Sequence, residues 1–390
     1  MGNLEQIKRS EKQEDISMIG IITFHASHNC GSMLQAYALQ YVLKNRFGQD
    51  SEIINFSNKG QQQMYQAFWP VTGVKTLVKD AIWATVLPQI NAQRMAYEKF
   101  SNKNFRLSAK QFTENAELVS IDGFYDKIIT GSDQVWNICC MDADDAYYLN
   151  FAKKSKRYAY AVSFGANNAF KLDNKYITLA KRFNKISVRE HNAQKWVRES
   201  LNLDVPVTLD PTMLLTREEW EKCIDIGEKP LIKEKYIFYY CFSISQEIEK
   251  FLKFVSQKTK MPVFFLEPKE WALRMCWRNN IKLVRHYGPE AFLNLMANAN
   301  LIFTTSFHGT AFSTIFRKNF WYIDSGHNDL DKDDRAVSFL KQLGLLDRYR
   351  TIENLLNQDL FDEPDYFTVE ENLKPLQKLS FSYLESTVNE

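Results

Sequence analysis

Short apolar runs with strand character alternate with amphipathic helical segments along most of this chain, and that alternation narrows its possible folds more than any other feature. Residues 18–24 form an apolar, β-rich run, followed by the loop His25-Ala-Ser-His-Asn-Cys-Gly31. Leu34, Tyr37, Ala38, Tyr41 and Val42 then recur at the spacing of one helical face. Further strands are expected at 52–56, 126–130, 157–164, 185–188 and 205–209. The pattern starts afresh with strands at 236–242, 262–266, 282–285, 301–305 and 319–323, and helices near 245–258, 289–298 and 310–317. Such alternation predicts an α/β protein with two Rossmann-like, doubly wound domains facing each other across a cleft.

At about 150 residues per domain, 390 residues hold two or three domains. Pro230 and a run of charge coincide at 227–235, which marks a linker between the two periodic regions. The expected division is a flexible tail at 1–17, an N-terminal α/β domain at 18–226, a C-terminal α/β domain at 231–334, and a helical tail at 335–390 that packs back on both lobes. Residues 61–100 form an inserted helical segment, with aromatics Tyr65, Phe68, Trp69 and Trp83 and breakers Pro70 and Gly73. Its apolar set Val74, Leu77, Val78, Ala81, Ile82 and Trp83 fits one helical face, with Lys75 and Lys79 close by. Packing on the first domain is the expectation for this insertion, and peripheral contact with a membrane or a lipid-linked acceptor is the alternative.

The charge balance excludes one partner class. Against 49 Lys and Arg stand 47 Asp and Glu, a net +2 that lacks the concentrated basic charge nucleic acid needs. Six cysteines without a C-x-x-C pair suggest neither a disulfide framework nor a zinc ribbon. The polar start MGNLEQIKRSEKQEDIS has no signal-peptide core, and no stretch reaches 18 apolar residues, so the expected location is the cytoplasm.

The segment 301–316 carries the most chemistry. A strand turns there through His308-Gly309 into a helix expected to begin near Thr310, and strand C-termini are where α/β sheets bind ligands. Amides at the helix start, with Gly309 permitting close approach, favour an anion beside an imidazole able to give a proton near neutral pH. A histidine that merely bonds the turn is the structural alternative. Asn29-Cys30-Gly31-Ser32 offers a similar cradle, but a single glycine is not the dinucleotide fingerprint. Gly131-Ser-Asp133-Gln134-Val-Trp136-Asn137 places an acid and amides at another strand end, where Asp133 orients a hydroxyl, acts as a base or caps a turn. Arg189 follows the strand at 185–188 and is placed to enter the cleft, as an anion clamp or as a partner of Glu190; Arg335 is a second candidate clamp. His25 and His28 lack a third ligand nearby for a metal. Asp142-Ala-Asp144-Asp145 has the D-x-D form of some metal-dependent glycosyltransferases, a form common in solvated loops, and the run at 329–334 fails the calcium-loop pattern at its glycine and terminal glutamate.

Taken in order, HNCGSMLQAYALQ at 28–40, DKIITGSDQVWN at 126–137, YAVSFG at 160–165, ISVRE at 186–190, LDPTMLL at 209–215, TTSFHG at 304–309 and DRAVSFLKQLGLLDR at 334–348 resemble the polysaccharide pyruvyl transferase family. The resemblance implies a glycosyltransferase-B-like pair of α/β domains. It also implies transfer of an enolpyruvyl unit from phosphoenolpyruvate to a sugar, giving a cyclic pyruvate ketal on a capsular, exopolysaccharide or cell-wall glycan. Carried onto this chain, its histidine matches His308, its arginine Arg189 and its acid Asp133; His308 and Asp133 are then the expected catalytic residues, and Arg189, together with Ser306, Gly309, Thr310 and Arg335 from the reading of the turn and its neighbours, is expected to bind the donor. Asn29, Gln134 and Trp136 are the matching acceptor candidates, and neither a metal nor a cofactor beyond the donor substrate is called for. Some members have Arg two residues before the histidine; this chain has Ser306 there, so the clamp is expected from Arg335 or Arg278 instead. The rival enzyme is a nucleotide-sugar-dependent glycosyltransferase of the same architecture, because fold alone does not decide chemistry. A catalytically silent glycan binder would have lost His308 or Arg189, and both are present.

Overall fold

The computed structural model describes residues 18–68, 72–165, 173–227, 229–324 and 335–390. The expected tail at 1–17 and the acidic run at 329–334 therefore lie outside the described residues. Ile19–Ile22 (β1), Ser51–Ile53 (β2), Lys127–Thr130 (β3), Lys156–Val162 (β4) and Lys185–Val188 (β5) form a wholly parallel sheet in the order β2-β1-β3-β4-β5. Ile237–Tyr240 (β6), Val263–Phe265 (β7), Ile281–Leu283 (β8), Leu301–Thr304 (β9), Phe320–Asp324 (β10) and Tyr349–Thr351 (β11) form a second, in the order β11-β10-β9-β6-β7-β8. Parallel strands need crossover connections that cover both faces, which is why β1, β3, β6 and β9 are buried at every position and have apolar centres, even where Lys127 opens β3 and Thr130 and Thr304 close β3 and β9.

Both orders are those of doubly wound sheets, and each reverses at one point: between β1 and β3 in the first lobe, between β6 and β9 in the second. A crevice opens at such a reversal because the flanking crossovers leave to opposite faces. The loops that leave β1, β3, β6 and β9 contain His28, Asp133, Phe242 and Ser306, and all four residues line one cavity between the lobes. The arrangement is glycosyltransferase-B-like.

Local chemistry sets the elements that frame the cavity. Asn29 caps the helix Cys30–Phe47 by accepting from the amides of Gly31 and Ser32, and Gly48 ends it in the left-handed region at φ 63° with Lys44 and Arg46 in its last turn. Ser306 caps the helix Phe307–Ile315, which therefore begins three residues before the expected Thr310.

The structure departs from expectation at three other places. Residues 205–209 meet β5 through a single bridge, Val188 with Val207, rather than as a strand. β11 lies inside the segment read as tail and extends the second sheet from β10. The insertion forms the helices Lys59–Met64, Val74–Ala84 and Leu87–Asn104, and it does not pack on the first domain alone. Leu87–Asn104 lies against the second-lobe helix Gly288–Asn298, so closely that a Cβ on Gly288 would stand 2.9 Å from that of Ala96. Val74–Ala84 meets the second-lobe helix Pro268–Leu273.

A terminal helix, Tyr366–Asn389, touches both lobes. The Tyr383 hydroxyl donates to the Ala159 carbonyl at 2.9 Å and Ser380 Oγ accepts from the Leu209 amide at 2.9 Å, while the Tyr366 hydroxyl donates to Ser313 at 3.2 Å. One apolar cluster runs through Ile19 and Leu39 of the first lobe, Phe238 and Phe312 of the second, and Leu384 of this helix.

Candidate active site between the lobes

Asp210 is the hub. Residues 205–209 run along β5 and deliver it fully buried into the cleft, where Oδ1 accepts from the amide of Thr212 at 3.0 Å and from its hydroxyl at 2.8 Å. Oδ2 accepts from Arg189 Nη1 at 2.8 Å and from Ser132 Oγ at 3.2 Å, and lies 3.5 Å from His308 Nε2. Burial opposes ionisation here, yet the His308 and Arg189 charges and the Thr212 amide outweigh it and hold the carboxyl well below its ordinary range.

Arg189 is itself buried among acids. Besides Asp210, its Nη2 stands 3.7 Å from Asp133 and its Nε 3.9 Å from Glu190, and its guanidinium lies over the Phe307 ring with 4.3 Å to the centroid. Both readings of Arg189 meet in this geometry, since it reaches the cavity wall and also pairs with Glu190. Asp133, in the left-handed region at φ 70°, accepts from Ser32 Oγ at 2.5 Å and from the Gln134 amide at 2.9 Å. Across the cleft, Gly31 presses on His308: a Cβ there would stand 2.2 Å from the imidazole Cγ and Nδ1. The two helix starts, Cys30 and Phe307, thus fix the ring between them.

His308, Asp133, Arg189, Ser306, Arg335, Asn29 and Gln134 all line the cavity, whose volume is roughly 640 Å³, in the range of small-molecule sites. Four other expectations fail. Trp136 is fully buried, its indole donating to the Tyr147 carbonyl at 3.0 Å and its ring stacked on Tyr148, so it belongs to the first lobe's core. The Thr310 amide is bonded to the Ser306 carbonyl at 3.0 Å inside the helix. Gly309 turns its open side to Thr304, where a Cβ would stand 2.1 Å from Oγ1; its lack of a side chain serves helix–strand packing rather than a ligand. Arg278 is exposed, in the turn before β8 and off the cavity wall, which leaves Arg335 of the two replacement clamps.

The remaining motifs take structural roles or sit at the margin. Asp144 caps a short turn by accepting from the Ala146 amide, and Asp145 pairs with Lys175 at 2.5 Å, while Asp142 reaches the cavity with its carboxyl pushed up by burial. His25 is buried against Asn55 and the Thr23 carbonyl. His28 stacks on Tyr97 with 5.3 Å between centroids, and burial followed by the Arg94 and Lys269 charges lowers it to about 4. No group of three metal-ligating side chains occurs among the described residues, and no described helix is long and apolar enough to cross a membrane.

Sequence reasoning missed Asp210 and Phe307 as parts of the site and gave Ser32 only a place in the loop cradle, not its bond to Asp133. The signal for Asp210 was an Asp-Pro pair directly after a strand-like run, a position formally equivalent to those of Asp133 and Arg189.

Comparison with known proteins separates fold from family. No curated protein matches the chain. Among solved structures it is similar to a putative UDP-N-acetylglucosamine 2-epimerase from Listeria monocytogenes (TM-score 0.52, 10% identity, 90% of each chain). It is also similar to S. aureus MnaA in a co-structure with UDP (TM-score 0.52, 12% identity, 92% of this chain and 91% of that one). A UDP-GlcNAc 2-epimerase from Methanocaldococcus jannaschii gives 0.50 at 11% identity, covering 93% and 99%. These likenesses concern the fold alone. A family model described as polysaccharide pyruvyl transferase matches residues 29–327, from the Asn29 cap to just past β10, and the chain belongs to that family of transferases.

Proposed function

We propose that the enzyme moves the enolpyruvyl group of phosphoenolpyruvate onto two hydroxyls of a sugar residue, galactose or a mannosamine, in a bacterial capsular or exopolysaccharide repeat unit. Phosphate is released and a cyclic pyruvate ketal remains. The observation that carries this reading is the junction of His308 and Arg189 on one buried carboxylate, Asp210, at the wall of a cavity between two switch points.

The chemistry needs a proton for the donor methylene, anion binding for carboxylate and phosphate, and a group that orients the attacking hydroxyl. With His308 Nε2 turned to Asp210, proton transfer to the donor or contact with its phosphate falls to Nδ1. Addition of one hydroxyl to the resulting cationic carbon, loss of phosphate and closure by the second hydroxyl complete the ketal. Asp133 orients the hydroxyl, with Ser32 fixing its Oδ2. Arg189, shared with Asp210, Asp133 and Glu190, supplies positive potential beside the donor, and Arg335 on the same wall adds a second guanidinium for the anion. Ser306 Oγ takes the Gly309 amide, and the amides of Phe307 and His308 are the helix-end donors left for the anion. Asn29 and Gln134 receive the acceptor.

The acceptor is lipid-linked in this reading, and the enzyme works at the cytoplasmic face of the membrane. Val74, Leu77 and Val78 are 76%, 53% and 54% exposed, beside the exposed Lys75 and Lys79, on the helix whose Trp83 lines the cavity. A thermal-shift comparison tests the donor. Stabilisation by phosphoenolpyruvate is the expected result; stabilisation by nucleotide sugars and not by phosphoenolpyruvate overturns it in favour of a glycosyltransferase.

A further inference from the structure

A second set of cavity-lining side chains has no part in the chemistry above. The insertion contributes Trp83, Ile90, Gln93 and Arg94, and the second lobe contributes Glu267 and Lys269. Glu267 is the unusual member. It stands at the start of the helix Pro268–Leu273 but its side chain makes no cap bond, and the Gln93 amide at 3.3 Å donates the hydrogen bond its carboxylate accepts. An ionised carboxylate has room for about four donors, so most of its capacity faces the cavity unused. Burial pushes it up to about 7, with Gln93 and Lys269 opposing and Glu270 reinforcing.

Its surroundings define the ligand class. Trp83 and Ile90 give apolar surface, with Lys269 Nζ over the indole at 4.8 Å and donating to the Gln66 carbonyl at 2.5 Å. Arg94 and Lys269 balance the acids Glu267 and Glu270, which disfavours a simple cation. A molecule with apolar C–H faces and a rim of hydroxyls matches apolar side chains interspersed with one carboxyl and one amide. Continuity with the His308 site comes through Tyr65, also on the wall, whose hydroxyl feels both Asp133 and Glu267.

We propose that this wall is a saccharide subsite, in which Glu267 and Gln93 bond hydroxyls of the acceptor and thereby set which sugar is accepted. It rests on the pyruvyl transfer reading for the identity of the acceptor, and its binding test does not depend on phosphoenolpyruvate. Because the insertion supplies one side and the second lobe the other, the subsite exists only where the helices Val74–Ala84 and Leu87–Asn104 reach the second lobe.

The probes are methyl β-D-galactopyranoside and N-acetyl-D-mannosamine, followed by saturation-transfer NMR on the full chain without donor, and by KM and kcat with phosphoenolpyruvate present. The expected result is binding of at least one probe to the wild type. Glu267→Gln and Gln93→Ala are then expected to weaken it roughly ten- to hundredfold, the loss appearing in KM more than in kcat, with the phosphoenolpyruvate thermal shift unchanged. Glu267→Gln also removes a carboxyl that burial disfavours, so the fold survives the change. Absence of probe binding to the wild type, or unaltered probe affinity in both variants, overturns the subsite. Probe binding lost in the variants, in a protein that ignores phosphoenolpyruvate, upholds the subsite and overturns the donor assignment instead.

Discussion

At the scale of residues, the site is a charge cluster whose members make sense only together. Asp210 carries no substrate contact in this account; it aligns His308 and Arg189 from below. Asp210→Asn keeps the shape and removes the charge, and is expected to cost about 3 kcal/mol, the low end for a broken buried pair because Asp133 and Glu190 remain near the guanidinium. Urea denaturation of the variant measures this, and a loss under 1 kcal/mol contradicts it. Gly31→Ala drives a methyl into the imidazole, with an expected loss of about 10²-fold in kcat from ring displacement and roughly 1–3 kcal/mol in stability. Steady-state rates beside a melting curve check both.

Glu267 gives a pH prediction. Its folded pKa of about 7 lies above the ordinary 4.5, so its stability contribution is whole below 4.5 and is lost as pH rises to about 7. Wild type minus Glu267→Gln melting temperatures are expected to fall across that window and level off above it; a flat difference contradicts the assignment. The places of His308, Asp133 and Arg189 on the cavity wall are legible in the sequence because each lies within four residues of the C-terminal end of a recognisable strand. Asp210 was not, since its segment forms one bridge rather than a strand, and Trp136 misled because a loop tryptophan beside an acid looks like a sugar platform until its ring is placed in the core.

At the scale of elements, the central strands are readable because burial on both faces makes their middles apolar, as in β1, β6 and β9, whereas the half-exposed Tyr-Arg-Thr of β11 carries no such pattern. The helix after β9 begins three residues before the expected Thr310 because Ser306, a residue type that favours N-caps, takes the Gly309 amide. The insertion was the least legible part. Apolar faces normally go inward, but of Val74, Leu77, Val78, Ala81, Ile82 and Trp83 the first four stay exposed, Ile82 is half-buried and Trp83 turns to the cavity. Leu77→Asp with Val78→Asp is expected to abolish co-sedimentation with vesicles containing anionic lipid and leave turnover of a water-soluble saccharide intact. Equal sedimentation of wild type and variant contradicts the membrane role.

At the scale of the molecule, two doubly wound sheets place their switch points opposite each other, and the chain's chemistry collects at the facing loops for that reason. Strand–helix alternation alone implies two doubly wound units with a cleft between them; the strand orders, and so the switch points, come from the pairing of the strands. What did not follow was how the lobes are joined: by the insertion across one side and the terminal helix across another, both through contacts far apart in sequence, such as Tyr383 with Ala159. The most direct test of pyruvyl transfer is mass spectrometry of galactoside and mannosamine acceptors after incubation with phosphoenolpyruvate and either wild type or His308→Ala. The expected result is a product heavier than the acceptor by pyruvate less one water, with matching phosphate release, formed by the wild type and not by the variant. Ketal formed at the same rate by both enzymes contradicts the role given to His308, and sugar transfer from a nucleotide donor with no such product contradicts the reaction itself.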